Sequence, residues 1–133
     1  MSLTHVNPES IHASPAFSQG VLIEPGGGLL VVGGQNGVDA NDDVVDGGIG
    51  EQTAQAFRNV LAVLAEVGAN QADVAKLTIY VVADEDIGAG FAAAQEVWGQ
   101  HATAISVLRV AGLARPDCLV EIDALAQIHG NAA

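Results

Sequence analysis

Two carboxylates placed two residues apart are the side chains of this sequence best suited to chemistry. Glu121 and Asp123 lie in the segment C-L-V-E-I-D-A-L-A at 118–126. Alternation in that segment predicts a β-strand with its apolar and small residues on one face and both carboxylates on the other. A carboxylate on a half-buried sheet face is costly unless it has a partner or binds a ligand.

Two interpretations of Glu121 are open from the residues alone. Arg109 lies on the preceding predicted strand, where it shares a face with Ile105 and Val107. An ion pair between Arg109 and Glu121 is the structural interpretation. The functional interpretation is a carboxylate held in a cleft between subunits, where it binds or activates a water molecule. Perturbed carboxylates occur in both settings.

An acidic loop offers a second arrangement of oxygen ligands. Asp39, Asn41 and Asp43 alternate there, as ligands do in the first half of an EF-hand calcium loop. Val44 stands where such a loop has its glycine, and Gly50 stands where it has its bidentate glutamate. We therefore interpret the segment as a solvated surface loop and not as a metal site.

The remaining reactive residue types are isolated. Cys118 is the single cysteine and has no internal disulfide partner, and its place at a strand start predicts an inert core residue. The glycines at 26–28 and 47–50 lack the context of phosphate-binding loops. Four histidines occur singly, without paired metal-ligand spacing: His5, His12, His101 and His129. The sequence predicts neither a metal nor a cofactor.

Strand and helix patterns predict the elements that hold these residues. A glycine-rich hairpin turn at 25–28 joins the first two predicted strands. Asp84 or Asp86 caps the second of two predicted helices. The order ββ-α-β-α-ββ predicts one α+β domain over residues 1–133, a sandwich with both helices on one face of a mixed sheet. The predicted ranges are strands 18–23 and 29–35, a helix at 51–67, a strand at 76–82, the second helix, with Ile87, Phe91, Ala94 and Trp98 facing inward, and strands 104–110 and 118–126.

The other face of the predicted sheet has no element to cover it. It carries Val107, Leu119 and Leu125 if the alternation holds. An uncovered apolar sheet face in a globular protein usually marks self-association. We therefore predict a homo-oligomer.

Charge and composition exclude some function classes. The 133 residues carry a net charge of −12 and four cations, Arg58, Lys76, Arg109 and Arg115, which cannot form the basic patch that nucleic-acid binding requires. No apolar run approaches the roughly 18–20 residues of a membrane span. The start of the chain does not resemble a signal peptide, and one cysteine fits a reducing compartment, so we expect a cytoplasmic protein without nucleic-acid or membrane partners.

Four motifs together resemble the YjgF/RidA family. They are A-S-P-A-F-S-Q-G at 13–20, V-V-G-G-Q at 31–35, N-V-L-A-V-L-A-E-V-G at 59–68 and L-V-E-I-D-A-L-A at 119–126. The resemblance implies a chorismate mutase-like subunit fold and a homotrimer with three clefts between subunits. Active members hydrolyse the enamine or imine products of amino-acid dehydratases to 2-keto acids and ammonia, without a metal or cofactor.

The resemblance also assigns positions in that cleft. Glu121 matches the family glutamate that positions water, and Gly34 matches the cleft glycine. Phe17 stands where a tyrosine is common, and Val107 stands where the deaminases often have cysteine. Ile105 replaces the arginine that grips the substrate carboxylate in a bidentate pair.

The loss of that arginine changes the expected substrate. Losing a charged bidentate contact costs about 3–5 kcal/mol, so we predict a cleft that binds or hydrolyses a small, neutral or cationic, partly apolar metabolite, with Glu121 positioning water or an amine. If active, the protein is a cofactor-independent hydrolase or deaminase acting on imine C–N bonds. One alternative is the family deaminase activity with Arg109, about 13 Å from Ile105 along the strand, as a substitute. The other is a non-enzymatic ligand-binding or regulatory trimer.

Overall fold

Two helices pack on one face of a four-stranded mixed sheet in this computed structural model, which describes residues 3–129. The α+β architecture predicted from the sequence is confirmed. The elements in chain order are β1 (Leu3–Val6), β2 (Gly20–Ile23), β3 (Leu29–Asn36), α1 (Gly48–Glu66), a short 3-10 turn (Gln71–Asp73), β4 (Val74–Val82), α2 (Ile87–Trp98), β5 (Ala104–Val110) and β6 (Val120–Gln127).

The strand that carries both carboxylates, β6, lies inside the sheet, whose strand order is β3-β6-β4-β5. It runs antiparallel to both neighbours, whereas β4 and β5 are parallel and joined through α2. The predicted hairpin between residues 18–23 and 29–35 is wrong, because β2 pairs with β1 in a separate sheet. Gln127 donates to the carbonyls of Glu24 and Gly26 in the segment between β2 and β3, which fastens that segment to the end of β6.

The predicted faces of β6 are confirmed. Val120, Ile122 and Ala126 are buried against the helices, whereas Glu121 and Asp123 are half-buried on the opposite face. Strict alternation fixes this division, because each successive side chain of a strand points to the other side of the sheet.

The helices complete the core from one side. Phe57, Val60 and Leu64 form the buried stripe of α1. Asp86 is the N-cap of α2, since its carboxylate accepts from the Ala89 amide at 3.2 Å, which decides between the two predicted caps.

The predicted inward stripe of α2 is only partly buried. Ala94 and Trp98 lie in the core, and Ile87 packs against it. Phe91 is 45% exposed, because it borders a cavity between α2 and β5.

The register of β4 and β5 corrects one prediction about the sheet faces. Ile79 is buried under the helices and pairs directly with Val107. Paired residues of parallel strands share a face, so Val107 lies on the helix side with Ile105 and Arg109, not on the uncovered face. Alternation defines which residues share a face but not which face the helices cover, and the predicted location of Val107 is wrong for that reason.

The uncovered face still carries apolar side chains. Val31 is 67% exposed and pairs across the sheet with the half-buried Leu125, and Leu108 of β5 is also exposed. Within residues 3–129, no helix has the length and apolar character needed to cross a membrane.

Candidate functional site

A cavity of about 600 Å³ opens between α2 and the β4–β5 edge of the sheet. Four of the predicted site residues line it: Phe17, Ile105, Val107 and Arg109. Three of these come from alternate positions of β5, and Phe17 comes from the segment before β2. Sequence reasoning therefore identified one wall of this cavity, although it assigned that wall to the other face of the sheet.

The segment that carries Phe17 is attached to the start of β5. The Ser18 amide donates to the Thr103 carbonyl at 2.9 Å, immediately before β5 begins. The Phe17 ring meets the His12 ring edge-on, with centroids 5.9 Å apart. Phe17 is thereby held at the Ile105 end of the cavity.

Aromatic rings form the wall contributed by α2. The ring of Trp98 packs against Phe57 at 5.0 Å and meets the edge of His101 at 6.5 Å. Its indole nitrogen Nε1 is buried and has no hydrogen-bond partner among the described residues. Phe91 lies on the same helix and also borders the cavity. Apolar and aromatic walls of this kind are typical of small-molecule sites.

Backbone oxygens hold Arg109 at the end of the cavity that lies near the C-terminus of β5. Its Nη1 donates to the carbonyl of Ala83 at 2.7 Å and to that of Glu85 at 3.0 Å. Both carbonyls belong to the loop that joins β4 to α2. Of the two interpretations of Glu121 that the sequence left open, the ion pair with Arg109 does not form within one chain, because β4 separates β5 from β6 and the two side chains lie on opposite faces of the sheet.

Gly34 and Glu121 lie together on that opposite face. A β-bulge between Val32 and Gln35 brings Gly34 over the Glu121 side chain. A Cβ atom at position 34 would lie 2.7 Å from the carboxyl carbon of Glu121, so the carboxylate would have to move to accommodate it. The absence of a side chain at Gly34 therefore makes room for the carboxylate.

Two polar neighbours of Glu121 escaped the sequence prediction. Asn36 donates from Nδ2 to the Glu121 Oε1 at 3.3 Å and to the Val120 carbonyl at 3.0 Å. Tyr80 stands directly opposite Glu121 on β4, and its hydroxyl donates to the Asp123 Oδ2 at 3.3 Å. Alternation in K-L-T-I-Y-V-V would have placed Tyr80 on the polar face, but only the register sets it beside Glu121.

The carboxylates alter the acidity of Tyr80. The negative charge of Asp123 raises the pKa of the Tyr80 hydroxyl above its usual value, and partial burial, the hydrogen bond to Asp123 and the charge of Glu121 act in the same direction. A phenol beside carboxylates resists ionisation because its anion would be repelled. Tyr80 therefore remains a hydrogen-bond donor at neutral pH.

The other candidate groups take structural roles. Cys118 is buried, and burial raises the pKa of its thiol, as expected for an inert core cysteine. In the acidic loop, the Asp39 carboxylate accepts from the amides of Asn41 and Asp43, which closes the loop on itself. No cluster of three or more metal-ligating side chains occurs between residues 3 and 129.

The candidate site is thus divided between the two faces of the sheet. The cavity with Phe17 and Ile105 lies on the helix side, and Gly34 and Glu121 lie on the uncovered side. A single chain does not bring the two parts together.

Comparisons with known proteins agree with one another and cover most of the chain. A family model described as Endoribonuclease L-PSP matches residues 7–128. A RutC family protein of Pyrococcus abyssi is 32% identical over 111 residues, covering 83% of this chain and 84% of that protein. The solved structure of YyfB, a protein of the Rid family from Yersinia pestis, is 32% identical, with a TM-score of 0.84 over 96% of this chain and 100% of its own. A YjgF/YER057c/UK114 family structure from Mycobacterium tuberculosis is 30% identical, with a TM-score of 0.64 over 96% and 100% of the two chains.

Proposed function

Because the chain belongs to the endoribonuclease L-PSP family, which includes the Rid and YjgF proteins, we propose that it acts as a cytoplasmic homotrimer with small-molecule sites between its subunits. Each site binds or hydrolyses a small metabolite, with Glu121 positioning water or an amine. The site takes no metal or cofactor. Gly34, Phe17, Ile105 and Val107 shape it.

The division of the site between the two faces of the sheet is the observation that carries this proposal. Ile105 borders the cavity on the helix side, and Glu121 lies on the uncovered side. The two parts complete one another only when the uncovered face of one copy meets the cavity edge of the next. Exposed Val31 and Leu108 give that face the apolar surface that association buries.

The surroundings of Glu121 suit proton transfer to and from water. Asn36 holds Oε1, while Oε2 lies beside Gly34, where no side chain blocks approach. Water adds to the C=N carbon of an imine as Glu121 takes one water proton and delivers it to the nitrogen. Glu121 then moves the hydroxyl proton to the nitrogen, the C–N bond breaks, and a carbonyl compound and ammonia leave.

Ile105 determines which charge the reacting end of the substrate can carry. An aliphatic side chain in place of a guanidinium cannot grip a carboxylate. The substrate is therefore uncharged or cationic beside Ile105, which separates it from 2-imino acids.

The family name refers to RNA cleavage, and the charge of this chain disfavours RNA as a substrate. Binding a phosphate backbone requires clustered cations. The chain has four Lys and Arg residues against 16 Asp and Glu. Arg115 is already paired with Asp42 at 2.9 Å.

Restoring the arginine tests the proposed chemistry. A dehydratase acting on serine or threonine supplies the imine, and 2-keto acid formation is followed. We expect the wild-type protein to give little acceleration and Ile105→Arg to increase the rate by roughly 100-fold or more, the value of a charged bidentate contact. Adding Glu121→Gln to Ile105→Arg should abolish that gain, while sedimentation reports whether each variant remains a trimer. A gain that survives Glu121→Gln would remove Glu121 from the mechanism.

A further inference from the structure

The cavity differs in charge from the rest of the molecule. The chain contains 16 Asp and Glu residues, yet none of the described residues that line the cavity is acidic. One of the four cations, Arg109, does line it. A strongly acidic protein therefore presents an acid-free apolar cavity with a guanidinium at one end, an arrangement that favours an anionic group on the ligand.

Arg109 is positioned before any ligand arrives. The carbonyls of Ala83 and Glu85 hold Nη1. None of the ion pairs formed among residues 3–129 includes Arg109. Carbonyl contacts orient the guanidinium without neutralising it, so its other nitrogens keep the charge and planar fork that suit a carboxylate.

Nearby acids weaken this attraction without cancelling it. Asp84, Glu85 and Asp86 lie in the same loop as the two carbonyls. The Asp86 carboxylate is engaged at the N-terminus of α2, where it accepts from Ala89. Charges exposed to water are screened far more than a direct bidentate contact is.

The spacing of Ile105 and Arg109 sets the shape of the ligand. Four residues of strand separate them by about 13 Å. The wall between them is apolar and contains Val107, Ile79 and Phe91. A ligand that reaches both ends must be elongated, with an apolar middle.

We propose that the cavity binds an elongated amphipathic carboxylate, with its carboxylate on Arg109 and its aliphatic or aryl body along β5. Its uncharged reacting end lies at Ile105 and Phe17. This inference rests on the proposed function, because it places the reacting end where a second copy supplies Glu121. A single guanidinium matches a monoanionic carboxylate better than a dianionic phosphate.

Paired probes that differ only in charge test the assignment. Calorimetry with 4-phenylbutanoate and with its neutral amide, 4-phenylbutanamide, separates the guanidinium contact from burial of the aryl group. We expect the carboxylate to bind the wild-type protein roughly 10- to 100-fold more tightly than the amide. Arg109→Gln should remove that preference and leave the affinity for the amide within about threefold.

Three variants guard against indirect effects. Arg58→Gln removes the same charge from the exposed surface of α1 and should retain the full preference. Arg109→Lys keeps the charge but not the planar fork, and should give an intermediate preference. It serves as the test if Arg109→Gln does not fold. Ile105→Trp adds bulk at the end of the cavity away from Arg109, about 13 Å along the strand, and should abolish binding of both probes.

Equal affinity of the wild-type protein for the two probes would overturn the inference, as would a preference that persists in Arg109→Gln. Absence of binding by either probe would overturn it as well. None of these results changes the expected gain of imine hydrolysis in Ile105→Arg, which depends on Glu121. Failure of this inference and failure of the proposed function are thus distinguishable.

Discussion

At the scale of single residues, the position of the Glu121 carboxylate depends both on a missing side chain and on a hydrogen bond from its neighbours. Gly34 leaves space for the carboxylate, and Asn36 fixes one of its oxygens. A half-buried carboxylate with one hydrogen-bond donor retains acceptor capacity for a water molecule. In the proposed binding mode, Ile105 and Arg109 contact chemically different ends of the ligand, because one side chain is apolar and the other is charged.

Neighbouring glycines provide a matched test of the Glu121 geometry. Gly34→Ala places a methyl group 2.7 Å from the Glu121 carboxyl carbon, whereas the corresponding position at Gly33 has nothing within 4 Å. In the Ile105→Arg background, we expect Gly34→Ala to lower imine hydrolysis by roughly 10-fold or more, the effect of misplacing a catalytic group. Gly33→Ala should leave the rate nearly unchanged. Equal rates for the two variants, with equal melting temperatures, would show that Gly34 does not position Glu121.

Tyr80 gives a second measurement at this scale. It is the single tyrosine, so ultraviolet titration reports it alone. We expect its pKa to lie above the ordinary value of 10.0, and Asp123→Asn to lower it, because the Asp123 charge is the largest cause of the shift. A midpoint that Asp123→Asn does not change would contradict this assignment.

The same shift predicts how stability depends on pH. A raised pKa means that the folded chain binds the phenolic proton more tightly than the unfolded chain does. The contribution of Tyr80 to the free energy of unfolding is therefore complete below the ordinary value of 10.0 and declines as the pH rises through the folded pKa. Asp123→Asn should reduce that decline.

At the scale of elements, the sequence predicted the faces of the strands and the order of the elements better than it predicted which strands are neighbours in the sheet. Alternation separated Val120 from Glu121 correctly because burial enforces a period of two on β6. It misassigned Val107 because one strand alone does not reveal which of its faces the helices cover. The pairing of β2 with β1 escaped prediction because it joins residues distant in sequence. The sequence also did not show that β4 lies between the strands of Ile105 and Glu121, so that the two side chains cannot meet within one chain.

The prediction at the scale of elements concerns the N-terminal cap of α2. Asp86 accepts from the Ala89 amide, whereas no hydrogen bond between described residues involves the side chain of Asp84. We expect Asp86→Ala to lower the free energy of unfolding by about 1 kcal/mol, the usual value of an N-cap. Asp84→Ala removes an equal charge and should change it by less than about 0.5 kcal/mol. Urea unfolding measures both, and equal losses would contradict the assigned cap.

At the scale of the whole molecule, the proposed site belongs to an assembly of chains and not to one chain. In the proposed site, one copy supplies the acid-free cavity with Arg109, and another supplies Glu121 and Gly34 from its uncovered face. The exposed apolar side chains Val31 and Leu108 lie on the face that the proposed association would bury. Sequence patterns predicted association, and the opposite orientation of Ile105 and Glu121 is the structural observation that supports a site shared between chains.

A crosslinking measurement tests this central claim most directly. In the double variant Ile105→Cys with Glu121→Cys, the two thiols of one chain lie on opposite faces of the sheet and cannot be bridged, while Cys118 is buried. With a short bismaleimide, the account predicts covalent dimers and trimers, and no such products from either single variant. Products that remain the size of one chain, 13.4 kDa, would contradict it.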